Sequence, residues 1–411
     1  MKRFPLLLTA LLCSISLSAQ SQMHLWKGNE STRINLSDAS VITYSNNGTE
    51  LTIAGTKYSA EEIDSLVLIH QVSITFNEDT VTYQIPAAIA DDITITTDKG
   101  YATVTNTNIW NEIEFKLSGE SSNGGFTYYG AFKATFRLNG LTLTSQRSAA
   151  IDILCGKRCA LILEDGTTNT LADYSAGEQK ACLYCKGHME VEGGGTLNVS
   201  GNLSHAIKTK EYLQLKKSTG TINIVKASGD GVHAGQYYQQ NGGTITITSD
   251  THGDGIQAEV ATLDDDVTPN PDKEYNGQMF INGGTLNIEA AHEDRKGIKC
   301  DSLITITGGT IKIAASGNGS RGIQTSSNMI IGTSGGDTTS PTITISATGG
   351  LCTAEEDSDD PHRCMGIKVD GNLTVYSGTT VVTNTGSKSR GIKVGGTYSK
   401  KGGNVTANIK N

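Results

Sequence analysis

The sequence lacks any long segment with the apolar spacing of an amphipathic helix, and after the first 20 residues it lacks an apolar run long enough to cross a bilayer. Proline is also scarce, with 6 residues, whereas glycine contributes 48. A strongly helical protein would carry fewer glycines. The formal net charge is −9, which argues against nucleic acid as a partner because that binding requires clustered basic charge.

Two common catalytic motifs are missing as well. The sequence has no His-Glu-x-x-His pair and no phosphate-binding loop that ends in Gly-Lys-Ser or Gly-Lys-Thr. It does contain short alternations of Val, Ile, Leu and Thr, interrupted by Gly, Asn, Asp and Ser. This pattern is typical of short β-strands joined by turns. It predicts an all-β fold.

Residues 1–20 have the layout of a secretory signal peptide, with two basic residues, the apolar run FPLLLTALLC and a small-residue end, SISLSAQ. We expect cleavage near Ala19. Leu12 precedes Cys13 where a lipid-attachment site requires a small residue, which favours simple removal over lipidation. The protein is therefore predicted to be exported to the periplasm, the cell surface or the medium.

Seven cysteines follow this leader: Cys155, Cys159, Cys182, Cys185, Cys300, Cys352 and Cys364. Export favours disulfides between neighbouring segments over reduced thiols. The alternative is a four-thiolate zinc site built from the segments CGKRC and CLYC. Cys352 and Cys364 flank an acidic loop that a disulfide could close, which would leave Cys300 as the odd thiol.

One short strand pattern recurs nine times between residues 149 and 394, in segments such as DGVHA, DGIQA, KGIKC and RGIKV. Most successive copies are 24 or 25 residues apart. Two further strand patterns recur within each period, one like LTVYS and one like GGTITIT. The central aliphatic residues of the nine copies are Ile151, Leu183, Ile207, Val232, Ile256, Ile298, Ile323, Ile367 and Ile392.

Such a three-strand unit cannot bury an apolar face alone, so we expect the units to stack at the β spacing of about 4.8 Å. The predicted fold is a single-stranded parallel β-helix of about nine or more rungs. A propeller is the alternative, but its blades need about 40 residues each. The longer steps between copies are interpreted as inserted loops at residues 260–276 and 332–362.

Stacking makes equivalent residues of adjacent rungs close neighbours, which applies to Asp230 and Asp254. Their repulsion costs about 1 kcal/mol in water and more where water is excluded, so a cation, a basic neighbour or a raised pKa must compensate. Calcium suits such oxygen-rich clusters. The alternative is that the acids are turn residues, neutralised by His205 below and Lys296 above. The candidate calcium ligands are Asp230, Asp250, Asp254, Asp264, Asp265, Asp266, Glu293 and Asp294.

The residue after each central aliphatic is mostly basic or an amide, and it is predicted to point outward. A ladder with a repeat of about 4.8 Å matches the length of one sugar residue, and its cationic groups favour uronic acids. The alternative is that these side chains only keep a sheet soluble. The candidate polysaccharide-binding residues are Lys208, His233, Gln257, Lys299, Arg321, Lys368, Arg390 and Lys393.

The segments FKATFRLNGLTLTSQRSAAIDILCGKRCALILEDGTTNTLAD, HAIKTKEYLQL, SGDGVHA and SRGIKVGG resemble a family of bacterial carbohydrate-binding β-helix proteins of the clostridial cellulosome-associated type. Their repeats are similar to those of calcium-dependent pectate lyases. The resemblance spans about residues 80–405. It implies a right-handed coil that binds acidic polysaccharide and calcium without cleavage. It also implies that Asp230 and Asp254 are associated with calcium, and that sites end where DG becomes KG, RG or MG.

The segment before the β-helix has a different sequence pattern, which suggests a division of the chain. Residues 21–70 are interpreted as a small β module, similar to the leader modules of exported proteins from Bacteroidetes-type bacteria, that caps or spaces the first rung. Residues 71–411 are expected to form the β-helix, beginning with irregular coils up to residue 147.

We therefore expect an exported, monomeric and non-catalytic protein that binds acidic polysaccharide and associates with calcium. One alternative is a calcium-dependent polysaccharide lyase, in which Lys208 or Lys299 acts as the base. The other is an adhesin or structural repeat protein, in which the ladder has no ligand.

Overall fold

The computed structural model describes residues 22–27, 30–35, 42–53, 55–264, 267–335, 340–352 and 362–410. These residues form β-strands and three short 3-10 helices, Asn46–Gly48, Ala60–Glu62 and Ala87–Ile89. In this part of the chain no helix is long and apolar enough to span a membrane. The all-β prediction is confirmed.

The strands are numbered in chain order. The first twenty are β1 Gln22–Lys27, β2 Glu30–Asn35, β3 Ile42–Ser45, β4 Glu50–Ile53, β5 Thr56–Ser59, β6 Ser65–Ile69, β7 Gln71–Asn77, β8 Thr80–Gln84, β9 Ile93–Asp98, β10 Gly100–Asn106, β11 Ile113–Ser121, β12 Gly124–Gly130, β13 Ala134–Thr144, β14 Ile151–Leu154, β15 Cys159–Leu163, β16 Thr168–Ala172, β17 Ala181–Cys185, β18 Met189–Glu192, β19 Thr196–Gly201 and β20 His205–Thr209. The others are β21 Leu213–Leu215, β22 Thr221–Ala227, β23 Val232–Ala234, β24 Tyr238–Gln240, β25 Thr244–Ile247, β26 Ile256–Ala258, β27 Met279–Ile281, β28 Thr285–Ala290, β29 Lys296–Cys300, β30 Ile304–Ile306, β31 Thr310–Ala315, β32 Arg321–Thr325, β33 Met329–Ile331, β34 Thr342–Ala347, β35 Met365–Val369, β36 Leu373–Val375, β37 Thr379–Asn384, β38 Arg390–Val394, β39 Tyr398–Lys400, β40 Asn404–Thr406 and β41 Ile409–Lys410.

Three stacks of parallel strands make up most of the molecule. The first stack runs from β12 through β14, β17, β20, β23, β26, β29, β32, β35 and β38 to β41, within a 13-stranded sheet. A 22-stranded sheet contains the other two stacks, one from β15 through β18 to β39 and one from β16 through β19 to β40. Each coil of the chain adds one strand to every stack. This arrangement is compatible with the predicted β-helix.

The register between coils is the one that the repeat predicts. Val232 pairs with Ile256, and Ile256 pairs with Ile298. These side chains are fully buried, in one apolar core that extends from residue 72 to residue 394. Alternating aliphatic residues therefore point inward on every coil and leave the intervening polar residues outside.

Glycine precedes the central aliphatic in most copies because the next coil leaves no room for a side chain. A Cβ atom added to Gly255 would lie 2.4 Å from the carbonyl oxygen of Gly297 and 2.7 Å from Cγ2 of Ile288. The Asp-Gly-aliphatic motif thus marks close contact between neighbouring coils.

The prediction of a loop is partly wrong for one of the two inserted segments. Residues 332–362 were expected to form a loop, but β34 lies within them and pairs in parallel with β31 and β37. Residues 260–276 contain no named strand among those described, and Thr262 and Pro269 form one isolated antiparallel bridge.

The amino-terminal strands β1 to β6 form two small antiparallel sheets. Their buried residues Leu25, Ile34, Leu51 and Ile53 form a cluster separate from the main core. The expected module at residues 21–70 and its capping role stay predictions.

Candidate functional site

One file of polar side chains follows the central aliphatics on the outside of the 13-stranded sheet, and we call it the outer column. It is Asp152, Tyr184, Lys208, His233, Gln257, Lys299, Gln324, Lys368 and Lys393, each paired with the next across adjacent strands. The structure thus places six of the eight candidate polysaccharide-binding residues in one file.

The accessibility of these candidates differs along the file. Lys208, Lys299, Lys368 and Lys393 are partly exposed, and so is Arg390, which lies beside the file. His233, Gln257 and Arg321 are buried, with 6%, 7% and 3% of their surface exposed. The Arg321 guanidinium donates a 2.9 Å hydrogen bond to Gln324 Oε1 and lies 3.3 Å from Asp294 Oδ1. A ligand can therefore reach five of the eight.

A second file, which we call the turn column, runs beside the first and consists of His205, Asp230, Asp254 and Lys296. The backbone N–H of Asp254 donates to Asp230 Oδ1 at 2.8 Å, and that of Lys296 donates to Asp254 Oδ1 at 2.8 Å. The backbone N–H of Asp230 donates to His205 Nδ1 at 3.1 Å. The two aspartates are neighbours, and each ties one coil to the next.

The electrostatic environments of the two aspartates are opposite. Burial alone would raise the pKa of Asp230, but contacts with His205 and His233 outweigh burial and hold this pKa well below its usual range. Burial raises the pKa of Asp254, and the backbone N–H of Lys296 only partly opposes it. Basic neighbours and a raised pKa thus both relieve the repulsion between the stacked carboxyl groups.

His205, Asp230 and His233 bring two imidazoles and one carboxylate together. Asp230 Oδ2 lies 2.8 Å from His233 Nδ1 and 3.3 Å from His205 Nδ1. In the described part of the chain, these three form the one group whose potential metal-ligand atoms all lie within 4.8 Å of one another. The other ring nitrogen of His233, Nε2, lies 3.0 Å from Glu259 Oε2.

The structure does not gather the other candidate calcium ligands around this group. Asp250, Asp264 and Glu293 are exposed. Asp294 lies among basic side chains at the Lys296 end of the turn column, 2.9 Å from His362 Nδ1 and 3.3 Å from Lys296 Nζ. Asp265 and Asp266 lie outside the described residues.

The donor set of the turn column does not fit calcium, which prefers six to eight oxygen ligands. Asp230 Oδ1 and Asp254 Oδ1 accept backbone N–H groups. Asp230 Oδ2 contacts two imidazoles, and Asp254 Oδ2 faces the Lys299 ammonium at 3.9 Å. The geometry agrees with the alternative interpretation, in which the acids are turn residues neutralised by their neighbours.

The cysteines show no bridge in the described residues. Cys364 donates to the carbonyl oxygen of Ala315, so it does not close the acidic loop. Cys159 contacts the thiols of Cys155 and Cys185, whereas Cys182 is fully buried elsewhere in the core. The four-thiolate zinc site is therefore not assembled. The free buried thiols are Cys155, Cys159, Cys182, Cys185, Cys300 and Cys364.

Comparison with known proteins shows to which family the chain belongs. A family model described as carbohydrate-binding domain-containing protein matches residues 98–410, which include both columns. The chain belongs to this family. A carbohydrate-binding domain-containing protein of Acetivibrio thermocellus is 31% identical over 104 residues, which are 23% of this chain and 35% of that relative. The chain thus matches about a third of that relative's length.

Among solved structures, the polysaccharide lyase-like protein from C. thermocellum, in a gadolinium derivative, is similar to this carbohydrate-binding domain protein. The TM-score is 0.44 and the identity is 18%, over 82% of this chain and 99% of the other.

Two residues of the site in this carbohydrate-binding domain protein were not predicted as functional. His205 was expected only to neutralise the aspartates, although its position two residues before Ile207 matches that of Asp230 before Val232. That equivalence is the signal that could have identified it. Glu259 carries no such signal, because it follows β26 where the chain leaves the repeat.

Proposed function

We propose that this carbohydrate-binding domain protein is exported and binds acidic, uronate-containing polysaccharide without cleaving it. The observation that carries the proposal is the register of the outer column near the carboxyl-terminal end. Lys299, Gln324, Lys368 and Lys393 lie on four consecutive strands, β29, β32, β35 and β38. Family membership supports a carbohydrate ligand, and the three lysines supply the preference for acidic sugars.

The spacing of these lysines suits a chain of uronates. Adjacent strands are about 4.8 Å apart, close to the length of one sugar unit, so successive carboxylates can approach successive strands. Lys299 and Lys368 have 32% and 22% of their side-chain surface exposed, so their ammonium groups are partly shielded from water. Charge-assisted hydrogen bonds to carboxylates are stronger in such surroundings.

Further parts of the proposal are a right-handed coil, a monomer in the periplasm, on the cell surface or in the medium, and a module at residues 21–70 that caps the coil at residues 71–411. Calcium is not part of it, because the turn column does not offer calcium its preferred oxygens.

The test compares the wild-type protein with K299Q/K368Q/K393Q in calorimetric titrations with polygalacturonate. We expect the triple variant to bind at least about tenfold more weakly, equal to about 1.4 kcal/mol. Binding should also weaken as salt rises, because the contacts are electrostatic.

The matched control is K217Q/K226Q/K312Q, which removes the same charge from exposed lysines in or next to the 22-stranded sheet. This control should bind like the wild type. Equal weakening in both variants would mean that binding depends on net charge and not on the outer column, which would contradict the proposal. Failure to bind any acidic glycan would also overturn it. Rising absorbance near 235 nm during incubation would instead reveal lyase activity.

A further inference from the structure

The donor atoms of His205, Asp230 and His233 converge, although His205 and Asp230 occupy equivalent positions on adjacent coils and His233 belongs to the outer column. We propose that these three side chains bind a divalent first-row transition metal, for which Zn²⁺ is the probe. Two imidazole nitrogens and one carboxylate oxygen are donors that suit zinc, copper or nickel, whereas calcium and magnesium take oxygen.

The distances fit a small ion. Two ligand atoms that are each about 2.1 Å from a tetrahedral Zn²⁺ lie about 3.4 Å apart. His205 Nδ1 is 3.3 Å from Asp230 Oδ2, and His233 Nδ1 is 2.8 Å from the same oxygen. The second pair is closer than this separation, so the Asp230 and His233 side chains must move apart slightly to admit the ion. Three protein ligands leave one coordination position for water or another ligand.

The surroundings of His233 support the metal site independently of the distances. A metal-binding histidine usually donates its second ring N–H to a carboxylate, which fixes the ring and its tautomer. His233 Nε2 lies 3.0 Å from Glu259 Oε2 and Nδ1 lies 2.8 Å from Asp230 Oδ2, so both ring nitrogens face carboxylates. A bound ion takes the place of the Nδ1 proton, which is released to water, while Nε2–H stays on Glu259. The His233 ring is 7% exposed and cannot turn without breaking these contacts.

Metal binding at His205 requires the loss of one hydrogen bond. The backbone N–H of Asp230 donates to His205 Nδ1 at 3.1 Å, and an ion at that nitrogen replaces this hydrogen bond. The backbone stack stays intact, because the carbonyl oxygen of Asp230 accepts from the N–H of Ala206 and Gly231 N–H donates to Asp254.

A second histidine pair in the same protein provides the matched control. The rings of His252 and His292 stack with centroids 4.0 Å apart, close to the 4.6 Å between His205 and His233. His292 Nε2 lies 2.9 Å from the carbonyl oxygen of Ser249. In the described residues this pair belongs to no group of three potential ligands. Two stacked imidazoles without a converging carboxylate should bind zinc only weakly.

The experiment titrates the full chain with Zn²⁺, and separately with Ca²⁺, by calorimetry after treatment with a chelator. We expect one equivalent of Zn²⁺ to bind and Ca²⁺ to give no saturable heat at this site. His233→Ala should weaken zinc binding at least about 100-fold. Glu259→Gln should weaken it about tenfold, because it removes only the support of the ring.

His205→Gln is the second variant, since its 15% exposed side chain can be replaced with less disturbance of the core. It should lose zinc, and its unfolding temperature should fall less than that of His233→Ala, because only the acceptor for the Asp230 N–H is removed. H252A/H292A should bind zinc like the wild type. Zinc binding that survives His205→Gln and His233→Ala, or no stoichiometric zinc binding by the wild type, would overturn the site. Polysaccharide binding is measured without zinc, so the two proposals fail separately.

Discussion

Glu211 links two parts of the chain that are distant in sequence. Its carboxylate lies 2.8 Å from Nδ1 of His188 on the preceding coil and 2.8 Å from Nζ of Lys273 in the segment 260–276. These contacts, led by the one with His188, lower the pKa of Glu211 to about 2 although burial opposes the shift. The ionised carboxylate therefore stabilises the folded state.

The stability that Glu211 contributes should depend on pH. Its folded-state pKa lies below the ordinary value of 4.5, so the contribution is complete above about pH 4.5 and is lost as pH falls toward 2. Glu211→Gln should lower the unfolding free energy by about 1 kcal/mol at pH 7. Thermal unfolding from pH 7 to pH 2.5 should show the difference shrinking as the wild type becomes protonated. A difference that is constant with pH, or equal to that of the exposed Glu178→Gln, would contradict this account.

At the residue scale, the sequence predicted which residues stack on adjacent coils better than it predicted which side chains touch. The repeat placed Asp230 beside Asp254, and it placed His205 and Lys296 at the ends of their file, as the structure shows. It did not predict that His233 would join Asp230 from the outer column, because that contact depends on side-chain direction within one coil. Glu259 lies beyond the repeat, so periodicity carries no information about its partner.

At the scale of the strand, glycine in the Asp-Gly-aliphatic motif controls how closely coils approach. A Cβ atom at Gly231 would lie 2.7 Å from the carbonyl oxygen of Gly255, and one at Gly255 would lie 2.4 Å from that of Gly297. These are backbone atoms of a regular stack, so they cannot move away independently. Packing between coils therefore accounts for the glycine of the motif without a metal.

Gly255→Ala should destabilise the protein because β26 must shift away from β29. We expect a loss of about 1–3 kcal/mol, similar to other cases of overpacking, and weaker zinc binding because Asp254 and Asp230 move with the strand. Urea unfolding followed by circular dichroism measures the loss. Gly156→Ala is the control, since a Cβ atom there has no neighbour within 4 Å. Equal stability of the two variants would show that the stack tolerates the extra methyl group.

Most of the strand order could be predicted from the sequence, because each inward aliphatic must lie above its equivalent to be buried. Strand β34 was missed for a physical reason. Its alternating residues Thr342–Ala347 follow the β pattern, but extra residues on both sides displace it from the regular period. Periodicity locates strands only while the coils have equal length.

At the scale of the whole molecule, Lys299, Lys368 and Lys393 form a line along the outer column rather than a pocket. Between Lys299 and Lys393 the outer column crosses four strands, which span about 14 Å at the β spacing. Gln324 separates Lys299 from Lys368, whereas Lys368 and Lys393 are direct neighbours. A ligand that matches this line must be extended, and its length should decide how many contacts it makes.

Affinity for oligogalacturonates should therefore rise with length up to about four sugar units and change little beyond that, because further units pass the last lysine. Calorimetry with a series from two to eight units measures this dependence. Lys393→Gln should move the plateau to a shorter oligomer, since it removes the last lysine of the line. Lys368→Gln should weaken the binding of every oligomer that is long enough to reach Lys368. Lys312→Gln, on the 22-stranded sheet, should leave the series unchanged. Affinity that keeps rising in proportion to length, or that responds equally to all three substitutions, would mean that the sugar chain follows no fixed file of residues.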